Sequence, residues 1–258
     1  MISSSNNTKI KLVRSLQGRS RQRKAENAFI AEGVRLVEEA VDEGWPIEFV
    51  LFDESLSERG MALINNLKSE GDISISQIAP ELMAEITDTE TPQGILAVLK
   101  RWMLPIPDSP TLILIADQIR DPGNMGTLLR TAEAARVDAV ILSPGTVDAF
   151  SPKVVRAAMG AHFRLPIHEH NWEEIQSVVK NLTTFQAESG DGVPLWHTDF
   201  SQPLALLIGG EAFGATKQGR SLATQKVTIP MPGRAESLNA AVAAGILIAE
   251  VLRQRYSL

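Results

Sequence analysis

Three junctions in the second half of the chain place polar side chains and glycines directly after an apolar run. In the first, the run "TLILIA" (111–116) precedes "DPGNMGTLLRTAEAA" (121–135). The spacing predicts a turn over 121–123, Asn124 as a helix cap and a helix over 127–135, with Arg130 on its second turn. Free backbone amides at a helix N-terminus attract anions. The junction therefore predicts a site for an anionic group, and an ordinary capped helix with a surface arginine is the alternative.

The second and third junctions add a carboxylate, a hydroxyl and an amide. In "LALLIGGEAFGA" (204–215), Glu211 directly follows a double glycine at the end of an apolar run, where a carboxylate needs a partner if it is buried. In "IPMPGRAESLNAAVAAG" (229–245), the prolines leave backbone polar groups free for a ligand, and Ser237 is predicted to cap a helix. Asn239 is polar on that otherwise apolar helix. A buried amide that satisfies the local backbone is the alternative for Asn239.

Several common catalytic and ligand-binding patterns are missing from the sequence. It has neither G-x-G-x-x-G nor G-x-x-x-x-G-K-[ST], and no G-x-S-x-G serine elbow. The histidines form no H-E-x-x-H pair, and "HEH" (168–170) is more typical of a surface strand end than of a metal site. Without cysteine there is no thiolate ligand, and no other ligand set for a metal is visible, so we expect no metal.

The composition also bears on where the protein works. The absence of cysteine favours a reducing cytoplasm. The apolar run "AAVAAGILIA" (240–249) is shorter than the roughly 20 residues of a membrane span, so we expect no membrane span. Since the segment 238–252 is apolar on all sides, it is predicted to lie in a core or at a dimer interface.

Apolar runs alternate with amphipathic segments along the whole chain, which predicts an α/β fold with largely parallel strands. The proline-rich "RWMLPIPDSP" (101–110) can continue neither a helix nor a central strand, so it is predicted to be a linker. We therefore expect an N-terminal domain over 1–100 and a C-terminal domain over 111–258. The predicted strands are "AFIAEG", "IEFVLF", "DISIS", "GILAVLK", "TLILIAD", "DAVILS", "TTFQAE", "LALLIGG" and "KVTIPM", and the predicted helices include "GVRLVEEAVDEG" and "SERGMALINNLKSEG".

A basic segment near the N-terminus stands out against a net charge of −6. Between 9 and 24 it has seven cations and no acidic residue: Lys9, Lys11, Arg14, Arg19, Arg21, Arg23 and Lys24. Clustered cations neutralise RNA phosphates and release counterions, so the segment predicts an RNA-binding arm. A solvated, partly helical arm is the alternative. The preceding "MISSSNNT" (1–8) is predicted to be frayed.

Taken in order, the three junctions resemble the motifs of the SpoU (TrmH-type) RNA ribose methyltransferases of the SPOUT superfamily. The residues that carry this resemblance are "DPGNMGTLLRTAEAARVDAVIL", "LIGGEAFGA" and "IPMPGRAESLNAAVAAGILIAE". The N-terminal segments "FIAEGVRLVEEA" and "TDTETPQGILAVLK" resemble the small ribosomal-protein-like α/β domain that binds substrate in many of these enzymes. The resemblance thus covers nearly the whole chain.

The resemblance implies a C-terminal domain with a parallel sheet and a deep trefoil knot, a homodimer formed through that domain, and transfer of a methyl group from S-adenosylmethionine to a ribose 2′-hydroxyl. By motif position it implies catalytic roles for Asn124, Arg130, Glu211, Ser237 and Asn239. It implies donor contacts for Leu207, Gly210, Ile229, Met231, Ser237 and Leu238. Because a guanidinium stays protonated, we expect Arg130 to hold a substrate phosphate and stabilise alkoxide charge.

Ribosomal RNA is the expected substrate, since the N-terminal domain resembles one that docks structured RNA and begins with the basic segment. Transfer RNA is the alternative within the same chemistry. A non-catalytic RNA-binding protein with the same fold is an alternative of another class, and so is an enzyme that acts on a small nucleotide. The complete polar set of the three motifs argues against the binding-only protein.

Overall fold

The chain folds into two compact units in the computed structural model, which describes residues 1–211 and 214–256. The first unit comprises Met1–Trp102 and Phe150–Phe163, and the second comprises Met103–Ala149 and the chain from Arg164 onward. Residues 101–110 form neither helix nor strand, in agreement with their prolines. The domain boundaries predicted from the sequence stay predictions. The sequence did not indicate that the segment Phe150–Phe163, from the second half of the chain, packs with the first unit.

The predicted alternation of strands and helices is confirmed. The helices are α1 (Thr8–Gln17), α2 (Ser20–Glu26), α3 (Val34–Asp42), α4 (Glu58–Glu70), α5 (Pro80–Ile86), α6 (Pro122–Ala134), α7 (Pro152–Ala158), α8 (Trp172–Val179), α9 (Lys217–Leu222) and α10 (Ala240–Arg255). The strands are β1 (Ala28–Glu32), β2 (Ile47–Phe52), β3 (Ser74–Gln77), β4 (Ile95–Lys100), β5 (Leu112–Asp117), β6 (Ala139–Leu142), β7 (Ile167–Glu169), β8 (Thr183–Ala187), β9 (Val193–Pro194), β10 (Leu204–Gly209) and β11 (Gln225–Thr228). All nine predicted strands are present, and β7 and β9 are additional.

The first unit contains a mixed four-stranded sheet in the order β1-β4-β2-β3. Strand β4 is antiparallel to β1 and β2, and β2 is parallel to β3. Helix α1 joins the core of this unit because Ile10, Val13 and Leu16 recur three residues apart and are fully buried. Ile2 forms a parallel bridge with Ile78. The predicted fraying of 1–8 is therefore wrong at residue 2, because its backbone is paired.

Residues 150–163 supply α7 and a short 3-10 turn, Ala161–Phe163, to the first unit. The ring of Phe150 packs edge-on against Phe29 of β1, with centroids 5.2 Å apart. Nη1 of Arg156 lies 3.7 Å from the carboxylate of Glu32, the last residue of β1. An aromatic contact and an ion pair thus hold this segment against the first strand of the chain.

The second unit contains a seven-stranded sheet in the order β7-β6-β5-β10-β8-β11-β9, and all its described ladders are parallel. Strands β5 and β10 lie next to each other near its centre and are almost wholly buried, which explains their continuous apolar runs. Since parallel strands end at the same edge of a sheet, the junctions after β5, β10 and β11 share one edge. Helices α6 and α10 follow two of these junctions and pack against each other.

Among the described residues, no helix is both long and apolar enough to cross a membrane. Helix α10 is the most apolar helix of the second unit. Its buried side chains face the sheet and α6, whereas Val242 near its N-terminus is 51% exposed.

Candidate functional site

A chain of hydrogen bonds joins one polar side chain from each junction. Nδ2 of Asn239 donates to Oδ1 of Asn124 over 2.8 Å, and Nδ2 of Asn124 donates to Oε1 of Glu211 over 2.7 Å. Oε2 of Glu211 lies 3.5 Å from the backbone amide of Arg120, which donates to it. The parallel sheet therefore brings together three residues that are far apart in the sequence.

The carboxylate of Glu211 sets which group donates and which accepts in each of these hydrogen bonds. An ionised carboxylate only accepts hydrogen bonds, so Glu211 makes Asn124 present its NH₂ group to it. Asn124 then presents its carbonyl oxygen to the NH₂ group of Asn239. The carbonyl oxygen of Asn239 is left to accept from the backbone amides of Ala241 and Val242, at 2.9 and 3.3 Å. The orientation of both amides and the start of α10 thus depend on Glu211.

The helix starts differ from two of the sequence predictions. Helix α6 begins at Pro122 with Asp121 as its N-cap, and Oδ1 of Asp121 accepts from the amide of Asn124 over 2.8 Å. The predicted Asn124 cap is therefore wrong, and its side chain is free for the hydrogen-bonded chain. Helix α10 begins at Ala240 with Asn239 as its N-cap. The predicted Ser237 cap is also wrong, since Ser237 lies in the irregular segment before the helix.

Arg130 lies on α6 but outside the hydrogen-bonded chain. Six residues of an α-helix turn by about 600°, so Arg130 points about 120° away from Asn124 around the helix axis. Its side chain is exposed and makes no ion pair or hydrogen bond with the part of the chain that the structure describes. This arginine is therefore available to an anionic group in solution.

A cavity of about 440 Å³ opens beside the hydrogen-bonded chain at the same edge of the sheet. Glu211 connects the cavity to the hydrogen-bonded chain, because it lines the cavity and also accepts a hydrogen bond from Asn124. Five of the predicted donor-contacting residues line it: Gly210, Ile229, Met231, Ser237 and Leu238. Leu207 does not line it, since its side chain is fully buried in the core, and the next residue, Ile208, lines it instead.

One wall of the cavity was not predicted from the sequence; it is formed by Ala187 at the end of β8 and by Glu188 and Ser189 directly after it. The hydroxyl of Ser189 donates to the backbone oxygen of Glu236, which joins this wall to the segment before α10. The predicted strand "TTFQAE" ends in the carboxylate of Glu188 and is followed by the hydroxyl of Ser189. Polar side chains at the end of an apolar run are also found at the three junctions, and this pattern was the available signal.

Two glycines in the cavity wall are required by close backbone packing. A Cβ atom on Gly209 would lie 2.2 Å from the amide nitrogen of Ala215 and 2.3 Å from the carbonyl carbon of Gly214. A Cβ atom on Gly210 would lie 2.4 Å from the backbone oxygen of Gln118. The double glycine therefore lets β10 end directly against two neighbouring backbone segments.

The lining of the cavity favours a ligand that is partly apolar and positively charged. Ile208, Val227 and Ile229 provide apolar walls. The described lining residues include three carboxylates, of Glu188, Glu211 and Glu236, and no basic side chain. Carboxylates around a partly enclosed cavity favour a bound cation, because charges interact more strongly there than in bulk water.

The predicted RNA-binding cations divide into two groups in the structure. Nζ of Lys9 donates to the hydroxyls of Ser74 and Ser76 at 2.8 and 2.9 Å, and partial burial lowers the pKa of Lys9. Arg23 is buried and donates to two backbone oxygens of the α1–α2 turn, and Arg14 forms an ion pair with a glutamate. The cations that lie exposed are Lys11, Arg19, Arg21 and Lys24.

No group of three or more His, Asp or Glu side chains within residues 1–211 and 214–256 is arranged to hold a metal ion. The "HEH" histidines make local contacts. Nε2 of His168 lies 2.7 Å from the backbone oxygen of Leu104, and Nδ1 of His170 lies 3.4 Å from the carboxylate of Glu174.

Known proteins that are similar to this chain include rRNA methyltransferases. Residues 111–249 match the SpoU rRNA Methylase family, and residues 7–97 match the MRM3-like substrate binding domain. The chain is 34% identical over 250 residues to the 23S rRNA (guanosine(2553)-2′-O)-methyltransferase RlmP of Bacillus subtilis, covering 96% of this chain and 97% of RlmP.

Solved structures extend the similarity to three dimensions. The SpoU methyltransferase AviRb from Streptomyces viridochromogenes, in complex with the cofactor AdoMet, superimposes with a TM-score of 0.88 at 30% identity, over 98% of this chain and 99% of AviRb. A structure that concerns the 2-OH methylation of C/U34 on tRNA covers only 58% of this chain and 99% of its own, with a TM-score of 0.52 at 28% identity.

Proposed function

Since the chain belongs to the SpoU rRNA methylase family, we propose that it is an RNA methyltransferase that transfers a methyl group from S-adenosylmethionine to a ribose 2′-hydroxyl of ribosomal RNA. The observation that carries this proposal is the chain of hydrogen bonds from Asn239 through Asn124 to Glu211, which ends at the cavity. Ribosomal RNA is favoured because RlmP, which matches nearly the whole chain, acts on 23S rRNA, whereas the tRNA-related structure covers 58% of it.

The cavity residues fit S-adenosylmethionine. Binding sites for small molecules have volumes of about 300–1,000 Å³ and mostly apolar walls, and this cavity of about 440 Å³ has apolar walls and three carboxylates. When bound, S-adenosylmethionine supplies an electrophilic methyl group on a sulfonium cation. We infer that Gly210, Ile229, Met231, Ser237 and Leu238 hold it, and that Leu207 supports the wall from the core side.

The remaining polar residues act on the RNA. The target hydroxyl must lie in line with the methyl group, and such alignment lowers a barrier by roughly 7–11 kcal/mol in well-oriented cases. Asn124 and Asn239, held in one orientation by Glu211, position the ribose, and Ser237 helps to align the donor. Arg130 binds the neighbouring phosphate and stabilises the developing alkoxide. The hydroxyl proton leaves to that phosphate or to water, since a guanidinium is already protonated.

The exposed cations of α1 and α2 form the proposed RNA-binding face of the first unit. Lys11, Arg19, Arg21 and Lys24 are exposed to solvent, where RNA phosphates can reach them. Lys9, Arg14 and Arg23 support this face through their contacts within the protein. A cytoplasmic location is part of the proposal, because the sequence has no cysteine for an oxidising compartment to pair.

A homodimer through α10 is also proposed. Val242, Ile246 and Ala249 recur at helical spacing, and Val242 and Ala249 are exposed. An apolar stripe at the edge of the site is suited to contact with a second copy of the chain, which would bring two sites close to one interface. Analytical ultracentrifugation at micromolar concentration tests this, and a monomer would refute it.

The trefoil knot implied by the resemblance is proposed for the segment that leads into α10. Its support is the position of Asn239, which is bonded to Asn124 at the start of α6 while α10 packs on α6. An experimental structure traced continuously from β10 to α10 tests the knot.

Transfer of labelled methyl groups from S-adenosylmethionine tests the function. Unmodified ribosomal RNA, ribosomal particles and transfer RNA serve as separate substrates, and an alkali-resistant dinucleotide identifies a 2′-O-methyl product. We expect label in ribosomal RNA or its particles. Label only in transfer RNA would change the substrate class, and no label in any RNA despite donor binding would favour the binding-only protein.

A further inference from the structure

Asp117 is a fully buried carboxylate at the carboxyl end of β5. It does not line the cavity and is not part of the hydrogen-bonded chain of the site. No described basic side chain forms an ion pair with it. Burial of a carboxylate is costly unless hydrogen bonds compensate it, so the partners of Asp117 indicate what it does.

Both oxygens of Asp117 accept hydrogen bonds from segments that end at this edge of the sheet. Oδ1 accepts from the hydroxyl of Ser143, just after β6, over 2.8 Å. Oδ2 accepts from the backbone amide of Thr216 over 2.7 Å. Thr216 is the N-cap of α9 and closes the loop that follows Gly209, the last residue of β10. Gly209 and residues 210, 211 and 214 of this loop line the cavity.

The residue after Asp117 packs against the other end of the same loop. Gln118 has a left-handed backbone with φ of 56°, and its amide donates to the hydroxyls of Ser143 and Thr146 at 3.2 and 3.1 Å. Its carbonyl oxygen lies against Gly210, where a Cβ atom would be only 2.4 Å away. Asp117 is therefore hydrogen-bonded to the end of the loop, and Gln118 packs against its beginning.

We propose that Asp117 is a positioning residue of the methyl-donor site, which holds the described residues of the loop after β10 (210–211 and 214–216) around the cavity through the backbone of Thr216. It touches neither the donor nor the RNA. This inference rests on the proposed location of S-adenosylmethionine in the cavity. Removal of the carboxylate should weaken donor binding and leave RNA binding unchanged, because neither of its hydrogen-bond partners, Ser143 and Thr216, is proposed to bind RNA.

The first experiment compares two substitutions of Asp117 by calorimetric titration with S-adenosylmethionine. In Asp117→Asn the side-chain oxygen can accept from Thr216 while its NH₂ group donates to the hydroxyl oxygen of Ser143, so we expect an affinity within about threefold of wild type. In Asp117→Ala the partly buried amide of Thr216 loses its acceptor, so we expect about tenfold to about 100-fold weaker binding.

Ile113→Ala is the matched control, because Ile113 is fully buried near the other end of β5. We expect it to lower the melting temperature without changing the Kd for S-adenosylmethionine. In steady-state assays Asp117→Ala should raise the KM for S-adenosylmethionine and not the KM for RNA. Wild-type donor affinity in a folded Asp117→Ala variant, or a parallel loss in Ile113→Ala, would overturn the inference.

A second pair of variants acts from the loop, in case Asp117→Ala does not fold. The φ of Thr216 is −64°, which is in the range of proline. Thr216→Pro removes the amide that binds Asp117, whereas Thr216→Ala keeps it and removes only the helix cap. We expect weaker donor binding in the proline variant alone, and equal affinities would overturn the inference. Failure of the wild-type protein to bind the donor would instead overturn the proposed function, and this inference with it.

Discussion

Gly209→Ala gives the most direct test of the cavity wall, because its effect follows from two distances. The new Cβ atom would lie 2.2 Å from the amide nitrogen of Ala215 and 2.3 Å from the carbonyl carbon of Gly214, although such contacts are essentially never below 3.0 Å. The backbone of 214–215 must therefore retreat by about 1 Å, and overpacking of this kind costs about 1–3 kcal/mol. If that cost falls on the donor-bound state, the Kd for S-adenosylmethionine rises about 5-fold to about 150-fold.

Calorimetric titration of Gly209→Ala with S-adenosylmethionine measures this change, and Gly233→Ala is the control. A Cβ atom on Gly233 would have no heavy atom within 4 Å, although Gly233 lies in the segment between β11 and α10. We expect the Kd of Gly233→Ala to stay within about twofold of wild type. An unchanged Kd in a folded Gly209→Ala variant would refute the reasoning, since the wall could then move without affecting the ligand.

Further predictions concern other parts of the molecule. Glu211→Gln keeps an acceptor for Asn124 but loses the charge that orients both amides, so we expect kcat to fall at least tenfold in the methyl-transfer assay; an unchanged kcat contradicts this. A neighbouring arginine holds the pKa of Glu250 at about 2 in the folded protein, below its ordinary 4.5. Wild type should thus lose stability as pH falls from about 4.5 towards 2, and Glu250→Gln should lose less over this range in thermal unfolding scans, whereas an equal loss would contradict the lowered pKa. Replacement of Arg19 and Arg21 by Gln should reduce the slope of log K for RNA against log salt by about 1.4–1.8, and an equal slope would exclude phosphate contacts. Val242→Asp should produce monomers by ultracentrifugation, and persistent dimers would place the interface elsewhere.

The strands of the central sheet could be predicted because burial on both faces removes polar alternation. Strands β5 and β10 are continuous apolar runs for this reason. Strand β7 has three residues and β9 has two, which is too short for any period to show. Helix starts were harder to predict, because Asp121 and Asn124 can both cap a helix and lie one turn apart. Only the folded backbone decides which side chain caps.

Part of the site could be predicted from the sequence, because its polar residues follow apolar runs along the chain. Asn124, Glu211 and Asn239 could be selected in this way, and their mutual hydrogen bonds required the strand order. The contacts of the cations in the basic segment 9–24 could not be predicted from the sequence. Counting charges does not reveal that Lys9 reaches two serines of β3 or that Arg23 caps backbone oxygens. Long cationic side chains bury their stems and can serve packing as well as binding.

The packing of residues 150–163 against β1 has a consequence for how this protein can be divided. The chain passes between its two units at 102–103, at 149–150 and again at 163–164. A fragment that ends at the proline-rich linker would therefore expose Phe29 and leave Glu32 without Arg156. The first unit is therefore not separable at the linker, and a fragment that is to keep its fold would have to include the returning helix α7.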